Sequence, residues 1–358
     1  MGYRLGARCT IGWDVGGVNT KVARAVSSPA GAAAITAVRI RPFEIQRDPT
    51  ALAALLRALA DDVGAAPDDA HAVTMTAELS QVFRTKGDGV AFVLDALEDA
   101  FPGAATQILG TDAEFHAPCD ARANPLLVAA ANWVATAALL ADHVSDTVLI
   151  DIGTTTTDII PIVGGRVASI GRTDPARLLS GELLYLGAVR TPVEAVVHAV
   201  PYNGGWAGVS AESFALMGDI HVWRGTIPSS MYTAPTPDGR PATREWAGDR
   251  IARIVCGDRT MLDDAALDAI ADHVAAAQLA RTATTIATVL AAHPSIGDAV
   301  VAGVGAQVAR AAAERAGLPT RALGDVVGRV GDGADAAPAA AVALLLADAL
   351  GAQATHAG

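Results

Sequence analysis

Apolar residues along the chain alternate between short unbroken runs and helical spacing, and the order of these patterns predicts the elements. Thr10–Asp14 opens a buried strand, and Lys21–Ser27 predicts a second after a tight glycine turn, with Ala34–Ile40 a third. Ala51–Asp62 has leucines and alanines at helical spacing. A short apolar strand follows at Ala72–Met75, then helices around Val90–Ala100 and Leu126–Ala141. The order then restarts. Thr147–Asp151 and Thr157–Val163 are strands, and Gly164–Gly165 turns into Arg166–Ile170. Residues 172–258 are rich in Gly, Pro and Trp and predict loops. Asp264–Ala292 is an Ala-rich helical stretch expected to be interrupted. Ala299–Ala302 is a strand, Gln307–Ala316 a helix, and Pro338 opens a last helix.

Three strands followed by alternating helices and strands, twice over, predict an α/β protein of two ribonuclease-H-like halves with an interdomain cleft. The first half is placed at residues 1–143 and the second at 144–337, the latter containing the loop-rich 172–258. A C-terminal helix, 338–358, packs back on the first half. The repeat also shows in the residues. Asp14-Val-Gly-Gly-Val-Asn-Thr20, followed by Lys21, and Asp151-Ile-Gly-Thr-Thr-Thr-Thr157, followed by Asp158, share one frame. Each has Asp, a β-branched residue, Gly, a short spacer, and Thr at the seventh position.

A glycine after a strand-ending Asp lets the backbone turn tightly and offer N–H groups to a phosphate. Gly16, Gly17, Thr20, Gly153, Thr154, Thr155 and Thr156 are therefore candidate phosphate ligands, and Lys21 supplies a mobile positive charge. Asp14 and Asp151 are candidate metal ligands, holding Mg²⁺ directly or through its waters across the cleft. The competing reading is a pair of ordinary turns with Asp capping its own backbone. Finding the frame twice favours phosphate binding.

Composition trims the alternatives. The chain has 358 residues, 51% of them hydrophobic and only 4% aromatic, so its cores are aliphatic. A formal net charge of −12 argues against nucleic-acid partners, which call for clustered Lys and Arg. Three scattered cysteines form no CxxC pair, and His116 with Cys119 lacks the second pair of a zinc site. Cys256, after an apolar run, is expected to be buried. Residues 1–10 carry no secretion h-region, Gly2 lacks the Ser or Thr of an acylation signal, and no uncharged run spans a bilayer. The expectation is a cytoplasmic protein without a membrane partner.

The two loops resemble the phosphate loops of the actin, sugar-kinase and heat-shock-ATPase superfamily, and look most like its hydantoinase-A/oxoprolinase branch. Further stretches are similar to the tetrahydromethanopterin-linked one-carbon transfer pathway proteins. These are Thr74-Met-Thr-Ala-Glu-Leu79, Ala131-Asn-Trp133, Gly181-Glu-Leu-Leu-Tyr-Leu-Gly187, Arg190-Thr-Pro-Val193 and Ala252-Arg-Ile-Val-Cys256. The resemblance implies a condensing step of methanofuran biosynthesis. An aminomethylfuran-methyl diphosphate is joined to the phenol of a tyramine derivative, forming an aryl ether and releasing diphosphate. Which phenol serves (tyramine, tyrosine or a glutamylated form) stays open, as does a homo-oligomeric state.

Within that chemistry Asp14, Lys21, Asp151, Asp158 and Glu182 are the expected catalytic residues. Glu182 or Asp158 takes the phenolic proton, Glu182 having as its competing role a helix N-terminal acid or a solvated charge. Glu78, Tyr185 and Arg190 line the substrate pocket. Gly303 and Gly305 join the phosphate ligands, but Gly303-Val-Gly305-Ala-Gln307 is a thinned version of the kinases' adenine platform. With Val308 in place of the last glycine it also fails as a dinucleotide fingerprint, which argues against ATP. Two other readings remain: an ATP-dependent kinase or hydantoinase-like subunit, and a non-catalytic nucleotide-sensing protein.

Overall fold

The computed structural model describes residues 9–28 and 31–356; the expectations drawn from residues 1–8 lie outside them. In the first half β1 (Cys9–Val15), β2 (Asn19–Ser28) and β3 (Gly31–Pro42) precede α1 (Leu52–Val63) and β4 (Ala70–Met75). Next come α2 (Lys86–Ala100), β5 (Thr106–Leu109), β6 (Phe115–His116), α3 (Pro118–Ala123), α4 (Pro125–Val128) and α5 (Asn132–Ala141). The second half opens with β7 (Thr147–Ile152), β8 (Thr157–Val163) and β9 (Arg166–Val167). It continues through α6 (Asp174–Ser180), β10 (Leu183–Leu184), the hairpin β11 (Ala199–Tyr202) and β12 (Gly205–Gly208), and α7 (Met217–Arg224). After α8 (Arg244–Arg253) and α9 (Asp264–Ala291) it ends with β13 (Ala299–Ala302), α10 (Ala306–Arg315), β14 (Thr320–Ala322), α11 (Leu323–Val326) and α12 (Ala337–His356).

The first sheet has the order β3-β2-β1-β4-β5-β6. Its first three strands are antiparallel neighbours, whereas β1–β4 and β4–β5 are parallel. The second runs β10-β8-β7-β13-β14 with β9 beside β8, and β7–β13 and β13–β14 are parallel. In strand order both halves are ribonuclease-H-like, and the α/β class follows from these two sheets.

Several sequence expectations change. Leu126–Ala141 is not one helix, because Ala130 takes a left-handed φ of 52° and splits α4 from α5. The stretch at 172–258 is loop-rich as expected, but it also carries α6, α7 and α8 and the β11–β12 hairpin. Its helices are too short for a strong period, and caps define them instead. The Asp219 carboxylate accepts the Leu216 N–H at 2.9 Å at the start of α7, and Gly225 ends it with a φ of 68°. α9 is unbroken over 28 residues, capped by Asp263, which accepts the Ala266 N–H at 2.9 Å. By length and composition α9 would suffice to cross a membrane, yet Leu267, Ile270, Val274 and Ile286 are buried in the fold. Cys256 is exposed rather than buried, at a φ of 57° just after α8.

The chain divides into two compact units. Unit 1 takes residues up to Ser145, Ile162–Ala176 and everything from Leu323, while unit 2 takes Asp146–Pro161 and Arg177–Ala322. In unit 1 alternation along β1 sends Ile11, Trp13 and Val15 into a core with Leu52, Leu56, Val90 and Val93 of α1 and α2. The opposite face carries Thr10, Gly12 and Asp14 and meets α12. There the Thr10 hydroxyl donates to the Ala343 carbonyl at 2.9 Å. The alanines of α12 allow this approach only because residue 12 has no side chain. A Cβ on Gly12 would lie 2.1 Å from the Ala339 carbonyl oxygen and 2.8 Å from the Ala343 Cβ. Unit 2 has its own core of Val193, Ile220, Trp223, Ile251, Leu267 and Ile270.

Gly12→Ala is expected to destabilise the fold by about 2 kcal/mol through overpacking against α12. Urea unfolding should show a lowered midpoint, while Gly208→Ala, which meets nothing within 4 Å, leaves it unchanged. Equal midpoints for the two variants would contradict the tight α12 contact.

Candidate active site

Asp14 is the penultimate residue of β1, and Asp151 is the penultimate residue of β7. Each is followed by a two-residue reversal into the next strand, closed by the same bond. The Gly16 N–H donates to the Asn19 carbonyl at 3.1 Å, and the Gly153 N–H to the Thr156 carbonyl at 2.9 Å. The tips, Gly17–Val18 and Thr154–Thr155, lie outside the strand ladders and are partly exposed.

In unit 1 the parallel register sets Asp14 beside Thr74 of β4 and the antiparallel register sets it beside Lys21 of β2. Lys21 Nζ donates to Asp14 Oδ2 at 3.0 Å, so the expected mobile charge is held on the carboxylate. The other oxygen, Oδ1, is buried without a hydrogen-bond partner, as are the hydroxyls of Thr20 and Thr74. Three orphaned oxygens around one strand end are costly unless something satisfies them.

In unit 2 the segment 181–193 braces the second loop. Ala188 N–H donates to the Gly153 carbonyl at 2.9 Å, and Val189 and Arg190 N–H both donate to the Thr154 carbonyl. The Gly153 and Thr154 carbonyls are thus turned to protein donors. Gly187 sits where a Cβ would come within 2.4 Å of the Thr155 carbonyl carbon, so only glycine fits. Thr157 is tied to the same segment, its hydroxyl donating to the Leu186 carbonyl at 2.6 Å. Gly303, at a φ of 83°, and Gly305 press on the end of β7. A Cβ on Gly303 would lie 2.2 Å from Asp151 Oδ1, and Gly305 N–H donates to the Ile152 carbonyl at 2.8 Å.

The acids differ in their surroundings. Asp158 is paired with buried Arg177 at 2.7 Å, a partner that the sequence did not single out. Glu182 is buried just before β10, neither solvated nor at a helix start, and its carbonyl accepts from Arg177 and from the Ile159 N–H. Tyr185 and Arg190 are exposed.

Glu78 lies in a turn of 3₁₀ helix, Ala77–Leu79, directly after β4. Its side chain is fully buried and neither carboxylate oxygen has a hydrogen bond. Lys86, at the start of α2, is 3.6 Å away and also contacts Asp174 at 2.6 Å. Burial pushes the Glu78 carboxyl up to about 7, and Lys86 opposes the rise. Sequence reasoning found Glu78 but missed Lys86 and Asp174, whose positions give no local signal. Of the tryptophans, Trp223 is buried, with its indole N–H on Asp268 at 2.8 Å, and so anchors its segment, while Trp206 is exposed.

The hydantoinase/oxoprolinase family profile matches residues 69–349, which is more than half of the chain. The chain belongs to the hydantoinase/oxoprolinase family. A relative from Methanocaldococcus jannaschii is 32% identical over 299 residues, covering 83% of this chain and 86% of that protein. It is named as the synthase of a furan-2-yl methanamine that bears a phenoxymethyl group with a γ-L-glutamylaminoethyl arm. A relative from Methanococcus vannielii with the same name is 42% identical over 111 residues, covering 31% of this chain and 50% of that protein. Among solved structures, the ethanolamine utilization protein EutJ from Carboxydothermus hydrogenoformans aligns over 96% of this chain and 92% of its own, at 13% identity and a TM-score of 0.48. The first Asp-Gly loop, Asp14–Thr20, precedes the matched stretch, whereas the second loop and its brace lie inside it.

Among the described residues no group of three or more His, Cys, Asp or Glu is arranged to hold a metal. In unit 1 the donor that lacks a partner is a single carboxylate oxygen, Asp14 Oδ1; a lone carboxylate oxygen matches a hard cation that keeps most of its waters better than it matches zinc.

The raised carboxyl of Glu78 fixes the sign of a pH effect on stability. Its folded form holds a proton up to about pH 7, against 4.5 when unfolded. The resulting stabilisation is complete below 4.5 and lost as the pH rises through about 7. Glu78→Gln removes that slope, so thermal unfolding should show the variant gaining on the wild type between about pH 5 and about pH 8. A constant difference across that range would contradict the burial argument.

Proposed function

We propose that this protein is a synthase that couples a furan-methyl diphosphate to the phenol of a glutamylated tyramine, forming an aryl ether and releasing diphosphate. The observation that carries this reading is the 32% identity across 83% of the chain to a synthase named for such a phenoxymethyl-furan product. The repeated phosphate loops support the diphosphate half of the reaction, since each presents a glycine turn at the end of a strand-borne aspartate.

The difficult event is breaking the bond between the methylene carbon and the diphosphate oxygen. The furan ring spreads the positive charge that grows on the methylene, so stabilising the departing anion governs the rate. The loop tips, Gly17–Val18 in one unit and Thr154–Thr155 in the other, each offer backbone N–H groups to a phosphate, and in unit 1 Lys21 contributes positive charge from beside Asp14. Asp14 in one unit and Asp151 in the other are the residues that would hold Mg²⁺, which would supply the remaining neutralisation of a diphosphate. Gly187, by letting segment 186–190 close on the second loop, keeps that loop's carbonyls turned to protein donors. The enzyme works on small molecules in the cytoplasm and needs no nucleotide, because its diphosphate arrives on the substrate.

Asp151→Asn tests this role. Asn keeps the shape and one acceptor oxygen but loses the anion. Diphosphate release from the furan substrate and a glutamylated tyramine is expected to fall by roughly two to three orders of magnitude, with an unchanged circular dichroism spectrum. Turnover should drop more than affinity for the phenol. A well-folded variant that releases diphosphate at the wild-type rate would overturn the assignment of Asp151.

A further inference from the structure

Among the described residues Glu78 is the only carboxylate with both oxygens buried and without a hydrogen bond. Its position is enforced from two sides. Thr76 N–H donates to the Val15 carbonyl at 2.9 Å, which ties the turn after β4 to the end of β1. On the other side α2 presses its Gly89 against the turn, where a Cβ would lie 2.5 Å from the Glu78 Cα. The turn also lies against the first phosphate loop, since a Cβ on Gly16 would meet the Thr76 hydroxyl oxygen at 3.5 Å. A buried acid that makes no hydrogen bond is expensive, and folds keep such groups mainly where chemistry uses them.

The neighbours explain how it can be used. Lys86, quarter-exposed, stands 3.6 Å from Glu78 Oε1, an ion-pair distance and not a hydrogen bond. Asp174 anchors the same ammonium at 2.6 Å. These two, Lys86 on α2 and Asp174 on α6, are the charged groups that bear on Glu78. Lys86 is therefore placed to meet a polar atom arriving from the exposed side, with an unspent carboxylate behind it. Asp158, by contrast, already carries the Arg177 guanidinium.

We propose that Glu78 is the general base that takes the phenolic proton of the acceptor, with Lys86 holding the phenolic oxygen as its negative charge grows. This rests on the coupling reaction proposed above. In the step, the O–H proton passes to the Glu78 carboxylate, and the freed electron pair forms the bond from phenolic oxygen to furan methylene. The methylene–diphosphate bond breaks, and its electron pair leaves with the diphosphate. Protonated Glu78 then returns its proton to water. A carboxyl that titrates near neutrality suits the task, because a phenol holds its proton to about pH 10 in water.

The test compares two acceptors, a glutamylated tyramine and its ring-fluorinated analogue with a much more acidic phenol, by diphosphate release across the pH range. For the wild type with the ordinary phenol kcat/KM should fall on the acid side near pH 7, whereas with the fluorinated phenol that limb should give way to one at the phenol's own ionisation. Glu78→Gln should lower turnover of the ordinary phenol by roughly 100-fold or more. The fluorinated phenol, which ionises unaided, should restore it to within a few-fold of the wild type. Glu78→Gln slowed equally with both acceptors, or not slowed at all, would overturn the proposal. So would a wild type that shows no acid limb near pH 7 with the ordinary phenol, a measurement that holds even if the variant does not fold. Wild-type protein that releases no diphosphate with either acceptor would instead overturn the coupling reaction, and this base with it.

Discussion

A strand that ends in a carboxylate and reverses within two residues imposes the constraint from which the rest follows. The reversal is closed by one backbone bond, Gly16 to Asn19 in one half and Gly153 to Thr156 in the other. The aspartate one residue short of the strand's end then carries its charge close to the loop. Unit 1 resolves that charge with Lys21 on one oxygen and leaves the other unsatisfied. Unit 2 surrounds its loop with glycines, at 187, 303 and 305, none of which leaves room for a Cβ. Small residues, and not polar ones, therefore set the geometry around both aspartates. The same holds for Gly12 beneath α12, two residues before Asp14 on the same face of β1.

Buried charge is distributed unevenly around these loops, and the unevenness has chemical meaning. Asp158 and Arg177 neutralise each other, and Asp219, Arg250 and Asp238 form a second such network deeper in unit 2. These pairs fix structure. Glu78 lacks a comparable partner, because Lys86 is shared with Asp174 and stops short of hydrogen-bonding distance. A group left in this condition exchanges its proton near neutral pH instead of staying ionised.

Much of the architecture was legible in the sequence because the period of each pattern was clear. The strands around both loops, the helix α1 and the turn at Gly164–Gly165 follow from runs, spacing and glycines, and the two sheets repeat one strand order. Where local pattern failed, backbone conformation or tertiary packing had intervened. Ala130 breaks a helix by a φ that no composition announces. The helices of 172–258 owe their boundaries to caps and to burial against α9, and β14 is only three residues long. In the site, the loop residues could be named because glycine and aspartate at strand ends are visible locally. Arg177, Lys86 and Asp174 could not, since their partners are distant in sequence or joined only by the fold. Nor could the bracing of the second loop by segment 186–190, which consists of backbone bonds and so leaves little trace in side-chain chemistry.

The central claim is that the phenol attacks a furan methylene from which diphosphate departs. The most direct measurement is the fate of an ¹⁸O label placed in the phenolic oxygen of the glutamylated tyramine, followed by mass spectrometry after incubation with the furan diphosphate and Mg²⁺. The account predicts that the label is retained in full in the aryl ether, that the diphosphate is unlabelled, and that no nucleotide is required. Label lost from the ether, or a product that forms only when ATP is added, would contradict it.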